Sequence, residues 1–170
     1  MQYEANPVDE SIDNESYYVS RLWHPSLTEF VPNGVSLKPF MMWWLFHELG
    51  IFMNKGYAIF LIYYDNQIVH RSCIFPGYFR FPFMQKQDLQ IGDTWTHPDH
   101  RGKGLATYAL HEILRLRGKQ GQSFWYIVEE ENLASIRVVE KAGFSKVGRG
   151  IRTKRFGVSL LGSYIIQQAF

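Results

Sequence analysis

Cysteine is almost missing from this chain: Cys73 stands alone. A single cysteine excludes a disulfide framework and any site built from paired thiolates. Within the apolar run "SCIF" it reads as a small buried hydrophobe, with a reactive thiol as the rival reading. An excess of one charge is missing too, since 18 Lys and Arg face 16 Asp and Glu for a net charge of +2. So weak a field draws the chain neither to nucleic acid nor to anionic lipid, and neither partner is expected. Long apolar runs are scarce. The nearest, "PFMMWWLFHELGIFM", is interrupted by His47 and Glu48 and falls short of the ~20 apolar residues a spanning helix needs. It reads as a core helix or the lining of a ligand cleft, with no membrane partner. The N-terminal "MQYEANPVDESIDNES" is acidic where a secretory signal would be basic and then apolar, which predicts a cytoplasmic location. No two histidines sit at a metal-ligand spacing with a third ligand nearby, so no metal is expected.

What is present suffices for one domain. With 170 residues, 46% of them apolar, the chain can bury a substantial core. A single domain over residues 1–170 is expected, with residues 1–16 flexible and Pro25, Pro32 and Gly34 breaking up the next stretch. A helix is predicted from Leu37 to Asn54. "YAIFLIYY" and "IVHRSCIF" read as two strands of a hairpin, because β-branched and aromatic residues flank an Asp-Asn turn pair. "GYFRFPFM" sets Phe79, Phe81 and Phe83 against Arg80 and Pro82, which predicts an edge strand, since Pro82 cannot donate to a ladder. "DLQIGDTWT" is a further strand with Gly92 as its bulge. Leu105, Tyr108, Ala109, Leu110, Ile113 and Leu114 recur at helical spacing, and Gly118 is placed to stop that helix. "SFWYIV" reads as a strand buried on both faces. In "NLASIRVVEKAGF", Asn132 is an N-cap, Ile136, Val139 and Ala142 form one stripe, and Gly143 fits the position after the helix. From Lys146 to Phe170 two strands are expected around a loop at Arg155 to Val158. This order predicts an α+β or mixed α/β fold with a single central sheet.

One stretch, "WTHPDHRGKGLATYAL", sets Gly102, Lys103 and Gly104 between a strand and a helix. A glycine-rich turn at that place exposes peptide N–H groups without side-chain obstruction. The helix's first turn adds unsatisfied donors and partial positive charge, and Lys103 adds a point charge, all suited to phosphate oxygens. A plain tight turn with solvated charges is the alternative. A nucleotide-hydrolase loop is excluded, because Lys103 is followed by Gly104 rather than Ser or Thr and position 98 is proline. A dinucleotide fingerprint fails as well, since Thr107 stands where its third glycine belongs.

"RGKGLA", Arg101 to Ala106, fits the pattern Q/R-x-x-G-x-G/A and resembles the acetyl-CoA pyrophosphate loop of the GNAT superfamily of N-acetyltransferases. "THPDH" before it is similar to the family's strand end, with Pro98 at its usual place. "NLASIRVVEKAGF" resembles the second family signature, closest to the branch of ribosomal-protein N-terminal acetyltransferases. The likeness runs from Tyr57 to Phe144. It implies transfer of an acetyl group from acetyl-CoA, as co-substrate, to a primary amine by direct attack in a ternary complex. It also implies a mostly antiparallel sheet, flanked by helices and opened by a V-shaped splay. By the same resemblance Trp95 and Thr96 offer backbone contacts to pantetheine. Arg101, Gly102, Lys103, Gly104, Leu105, Ala106 and Thr107 hold the pyrophosphate, and Asn132 reaches the cofactor from the next helix. A backbone N–H at the bulge serves as oxyanion donor.

The chain departs from the family pattern where protons move. An alkylammonium has to lose a proton before it attacks, and the family's usual glutamate position holds Gln90, which cannot ionise. Asp93 on the same strand is the leading candidate base and Glu129 the second, while Asp93 also reads as a carboxylate capping amides at a bulge. The tyrosine that commonly protonates the leaving thiolate is replaced by Val139. Ser135, by likeness to the ribosomal-protein branch, is the candidate acid, with a plain helix residue as the rival reading. These departures leave open a catalytically weak acyl-CoA-binding or regulatory domain. His97 and His100 read as solvated turn residues. "GRGIRTKR" reads as an exposed hairpin or as a contact for a phosphate or an acidic acceptor. Phe40, Trp43, Trp44 and Phe46, with Phe79, Phe81 and Phe83, concentrate aromatics in the half that by resemblance shapes the acceptor side, as a stacking surface or as core. A small-molecule or peptide amine is the expected acceptor, and a monomer or homodimer the expected state.

Overall fold

The run "AIFLIYY" is apolar apart from two phenol hydroxyls. A central strand satisfies its backbone while burying both faces. It forms β2 (Ala58–Tyr64), in which Ala58 to Ile62 are at most 1% exposed. Asp65 and Asn66 both take left-handed backbone, with φ 49° and 58°, as a two-residue hairpin turn requires if its twist is to match its strands. They return the chain as β3 (Gln67–Pro76). β1 (Tyr18–Trp23) pairs with the other edge of β2, and β4 (Leu89–Thr96) with β3, all antiparallel. β5 (Phe124–Tyr126) joins β4 in parallel, which demands a crossover; α2 (Leu105–Arg117) supplies it. The sheet order is β1-β2-β3-β4-β5. α1 (Leu37–Glu48) precedes β2, α3 (Leu133–Lys141) follows β5, and β6 (Arg149–Arg152) with β7 (Tyr164–Gln167) makes a separate antiparallel pair. The structure, a computed structural model, describes residues 18–26, 32, 37–153 and 162–167. Among these no helix is long and apolar enough to cross a membrane.

Successive residues of β2 point to opposite faces and so divide the core in two. Ala58, Phe60 and Ile62 cluster with Leu105, Ala109, Leu110 and Ile113 of α2 and with Val139 of α3. Ile59 and Leu61 cluster with Phe40 of α1 and with Phe75, Tyr78, Phe81 and Met84 at and after the end of β3. The first layer carries α2, the helix that follows the glycine turn; the second carries the aromatics.

Several expectations need correction. The first helix ends at Glu48, not Asn54. Gly50 takes φ +66°, and the amides of Gly50 and Ile51 return to the carbonyls of His47 and Phe46, the Schellman closure a glycine permits. "GYFRFPFM" is a series of turns, with Phe81 N–H donating to Tyr78 and Met84 N–H to Phe81; its alternation reflects burial of Phe81 and exposure of Phe79. "SFWYIV" is a three-residue edge strand, half-buried throughout. β1 had no clear signal because its middle residues are exposed. Gly118 caps the Leu114 carbonyl with its amide, but at φ −64° rather than left-handed, whereas Gly143 is left-handed at +88°. The first 16 residues and the loop at 155–158 lie outside the described residues.

Two polar clusters fix β4 between its neighbours. Asp88, 2% exposed, accepts from the amides of Gln85 at 2.9 Å and Ser123 at 3.0 Å and from the Trp125 indole at 3.0 Å. It ties the start of β4 to the start of β5. On the helix face, buried His70 bonds Thr96 through Nδ1 at 2.8 Å and Ser72 through Nε2 at 3.0 Å, and Ser72 reaches Thr94 at 3.2 Å. Each hydroxyl can donate to a ring nitrogen or accept from it, so the chain closes around a neutral imidazole in either tautomer. Burial, aided by the Arg71 charge, pushes the His70 pKa down to about 4.

Asp88→Ala leaves three donors without their carboxylate. It is expected to cost about 3–5 kcal/mol and to lower the melting temperature by roughly 10 °C; a loss within that of an exposed substitution would contradict the clamp. For His70 the sign follows from the depressed folded pKa. The unfolded imidazole takes up a proton near pH 6.5 and the folded one near 4, so the stability present at pH 7 is lost as pH falls between these values. Urea titrations at pH 7 and pH 5 are expected to show His70→Gln losing ~2 kcal/mol less than the parent over that interval. Equal losses would place the imidazole's proton elsewhere.

Candidate active site

The site begins with one residue too many. Cys73 of β3 stands opposite Gly92 and Arg71 opposite Trp95, so Ser72 faces both Asp93 and Thr94. The bulge lies at these two residues and not at Gly92, which stays in register. Asp93 absorbs the bend at φ +46°, a left-handed conformation that costs a non-glycine residue ~1–2 kcal/mol. Bulges increase twist and re-aim side chains. Here the Asp93 carboxylate accepts from the Arg71 guanidinium at 3.3 Å and from the Cys73 thiol at 3.7 Å. Burial and the Asp93 charge push the Cys73 thiol well up, which removes the reactive-thiol reading. Arg71 in turn lies over the rings of Phe40 and Trp95, each centroid 5.6 Å away.

On its other side β4 runs out of partners. β5 ends at Tyr126, opposite Ile91. From Gly92 onward no described strand covers that edge of β4, which opens the sheet as a splay. Unpaired edge groups of this kind are a template for an extended ligand.

The open edge leads into the glycine turn. A short 3-10 turn, Pro98–His100, is held by the His97 ring accepting from the Asp99 amide, and Arg101 Nε donates to the Thr96 carbonyl at 3.1 Å. His100 bonds the Tyr18 hydroxyl at 2.9 Å, so both histidines hold the turn in shape. Gly102 and Gly104 have φ +76° and +78°, and a Cβ built at either would meet nothing within 4 Å. Gly104 is the N-cap of α2 and no side chain caps it. The first-turn amides of α2 therefore stand without intrahelical or side-chain partners, beside exposed Arg101 and Lys103. Leu105, 8% exposed, anchors the helix in the core.

On the α1 side of the splay lies a cleft of about 270 Å³. Its walls are Trp43, Phe75, Tyr78, Phe81 and Tyr164, and its polar groups are Arg80, Gln90 and Asp93. Burial pushes the Tyr78 phenol up. Trp43 and Phe81 were legible as members of an aromatic cluster. Arg80 and Tyr164 carried no signal, because turns and a distant hairpin bring them to the wall.

The predicted residues fall into three places. Trp95, Thr96 and Arg101 to Thr107 form one continuous path from the open edge to the start of α2. Asp93 reaches the cleft, while Ser135, Asn132 and Glu129 are not among its lining residues. Asn132 Oδ1 caps α3 by accepting from the Ser135 amide at 3.1 Å, and Glu129 is exposed. Val139 is core, 8% exposed. "GRGIRTKR" is in its described part the exposed strand β6, with Arg149 paired to Glu130. Among the described residues no group of His, Cys, Asp and Glu could hold a metal ion.

Comparisons with known proteins meet this geometry. A comparison with curated proteins gives no match. Among solved structures, an aminoglycoside N-acetyltransferase in complex with CoA is similar with a TM-score of 0.61 and 14% identity, over 86% of this chain and 99% of that one. The ribosomal-protein-S18-alanine N-acetyltransferase from Escherichia coli is similar with a TM-score of 0.50 and 16% identity, over 75% of this chain and 78% of that one. A predicted acetyltransferase from Clostridium acetobutylicum, solved with acetyl-CoA, has a TM-score of 0.52 and 14% identity, over 76% of this chain and 91% of that one. At such identities the likeness shows the fold, a mixed α+β sheet with flanking helices. Residues 17–144 also match the family model described as Acetyltransferase (GNAT) family, and with the match spanning most of the chain, this protein belongs to that family.

Proposed function

We propose that the protein is an acetyl-CoA-dependent N-acetyltransferase that transfers directly to a primary amine. One observation carries the reading: the unpaired edge of β4 runs straight into the uncapped, glycine-opened N-terminus of α2. The edge suits an extended pantetheine arm, with Trp95 and Thr96 as its backbone partners. The amides from Gly102 to Thr107, with the partial positive charge of the helix end and Lys103, suit a diphosphate. Arg101 fixes the corner through the Thr96 carbonyl, and Asn132 offers its remaining amide group from α3.

Acetyl-CoA supplies the activated thioester: the amine nitrogen bonds to its carbonyl carbon, the carbon–sulfur bond breaks, and the amine's proton leaves. The chain's own residues manage the charges. Asp93 is the proton acceptor, since it is the one carboxylate among the described residues lining the cleft and Gln90 cannot ionise. Amides at the Asp93–Thr94 bulge face the developing oxyanion, a role commonly worth a few kcal/mol. Ser135 is the candidate proton donor to the thiolate. A second reading, an acyl-CoA-binding domain with little turnover, is favoured by Gln90 and by the burial of Val139 in the core.

Incubation with acetyl-CoA and a broad panel of amines is expected to release free thiol. Asp93→Asn is expected to lower kcat by about 10²–10⁴-fold, with the KM for acetyl-CoA little changed. Calorimetric binding of acetyl-CoA without turnover of any amine would favour the second reading. Absence of binding would contradict both.

A further inference from the structure

We propose that Arg71 is a positioning residue of the acetyl transfer: it holds the Asp93 carboxylate at the bulge, where the acceptor amine gives up its proton. The inference rests on the acetyltransferase reading with Asp93 as proton acceptor, and it adds a residue that is not itself in the cleft wall.

Asp93 has little of its own to keep it in place. Its backbone is left-handed at φ +46°, which is disfavoured for any residue with a side chain, and a half-exposed carboxylate loses rotamer freedom when it is held still. Two side chains of β3 hold it. The Arg71 guanidinium donates to Oδ1 at 3.3 Å and the Cys73 thiol to Oδ2 at 3.7 Å. Arg71 and Cys73 flank Ser72, the residue opposite the bulge, so the two donors straddle the extra residue. Each carboxylate oxygen has two lone pairs, and both therefore keep an acceptor position for an incoming N–H.

Arg71 is in turn fixed from two sides. Its guanidinium lies 5.6 Å from the ring centroid of Phe40 in α1 and 5.6 Å from that of Trp95, its ladder partner in β4, a cation–π contact with each ring. Among the described residues Asp93 is the one hydrogen-bond acceptor of its side chain, and its Nε is buried without a partner. A buried donor left unpaired destabilises the fold, and so does the left-handed backbone of Asp93. Two such costs meeting in one residue pair mark a geometry retained for use rather than for folding.

As an ion pair, Arg71 and Asp93 contribute little to stability, because their side chains are 27% and 39% exposed and water screens the attraction. Direction is what the pair supplies. A guanidinium presents its donors in one plane, and the two rings set that plane. Misplacing a reacting group by about 1 Å lowers a rate by about 10²-fold, so Arg71 matters more to the rate than to the fold.

The test is a double-mutant cycle in kcat with Asp93→Asn, on any amine of the panel that releases thiol. Arg71→Met is expected to lower kcat by about 10- to 10²-fold in the parent, but by less than about twofold in the Asp93→Asn background. Calorimetric affinity for acetyl-CoA is expected to stay the same, and Arg71→Lys, which keeps the charge without the plane, to recover part of kcat. The cycle is run with Arg71→Lys as well, so that it can be read should Arg71→Met fail to fold. The backbone amide shifts of Asp93 and Thr94 require no acceptor: they are expected to move in Arg71→Met and to return toward the parent's in Arg71→Lys. Equal losses of kcat in the two backgrounds, a loss of acetyl-CoA affinity in place of kcat, or amides of Asp93 and Thr94 that do not move would overturn the proposal. Asp93→Asn protein as fast as the parent would overturn the base assignment and the proposal with it, whereas failure of the parent to bind acetyl-CoA would overturn the acetyltransferase reading beneath both.

Discussion

Among the described residues, a strand with only one partner along half its length governs this structure. β4 is paired on both sides as far as Ile91 and on one side from Gly92. An open edge inside a sheet exposes hydrogen-bonding groups that fold stability would rather satisfy. It persists because both ends of β4 are fastened elsewhere: Asp88 clamps its start to β5, and the His70 chain clamps its end to β3. The extra residue at Asp93 and Thr94 then turns the strand without unzipping it.

From that constraint the division of labour follows. The helix-side layer of the core anchors α2 through Leu105, Ala109 and Ile113, which holds the glycine turn at the mouth of the splay. The opposite layer is built from aromatics that surround each other closely: Trp43 lies 4.7 Å from Phe75 between ring centroids, and Phe81 stacks on Tyr164 at 5.6 Å. In the proposed function, one layer presents backbone to the coenzyme and the other presents rings to the acceptor. Asp93 is the residue that turns from the strand into the second layer, at the cost of left-handed backbone, and strain of this sort is retained where a site needs it.

Much of this was legible in the residues. The β2–β3 hairpin follows from an Asp-Asn pair between apolar runs, and α3 from an asparagine cap and a closing glycine, because local chemistry alone decides them. The glycine turn was legible for the same reason: Gly102 and Gly104 permit the left-handed backbone that the turn adopts. What failed was decided at a distance. "GYFRFPFM" alternates like a strand, yet its phenylalanines are sorted by packing against Tyr78, β5 and β7 rather than by a pleat. The bulge was assigned to Gly92 because glycine tolerates it, whereas the pairing of Cys73 and Arg71 puts it one residue later. Arg80 and Tyr164 are far apart in sequence and are joined by the Tyr164 amide donating to the Arg80 carbonyl at 2.7 Å, which no local pattern announces.

The claim on which the account turns is that bare peptide amides at the start of α2 bind a coenzyme's diphosphate. Amide chemical shifts of uniformly ¹⁵N-labelled protein, followed while CoA is added, test it residue by residue. The account predicts that Gly102, Gly104, Leu105 and Ala106 show the largest displacements, saturating together, with those of Gly92 to Thr96 following the same isotherm. Amides of the turn that stay in place while the rest of the spectrum responds to CoA would contradict it.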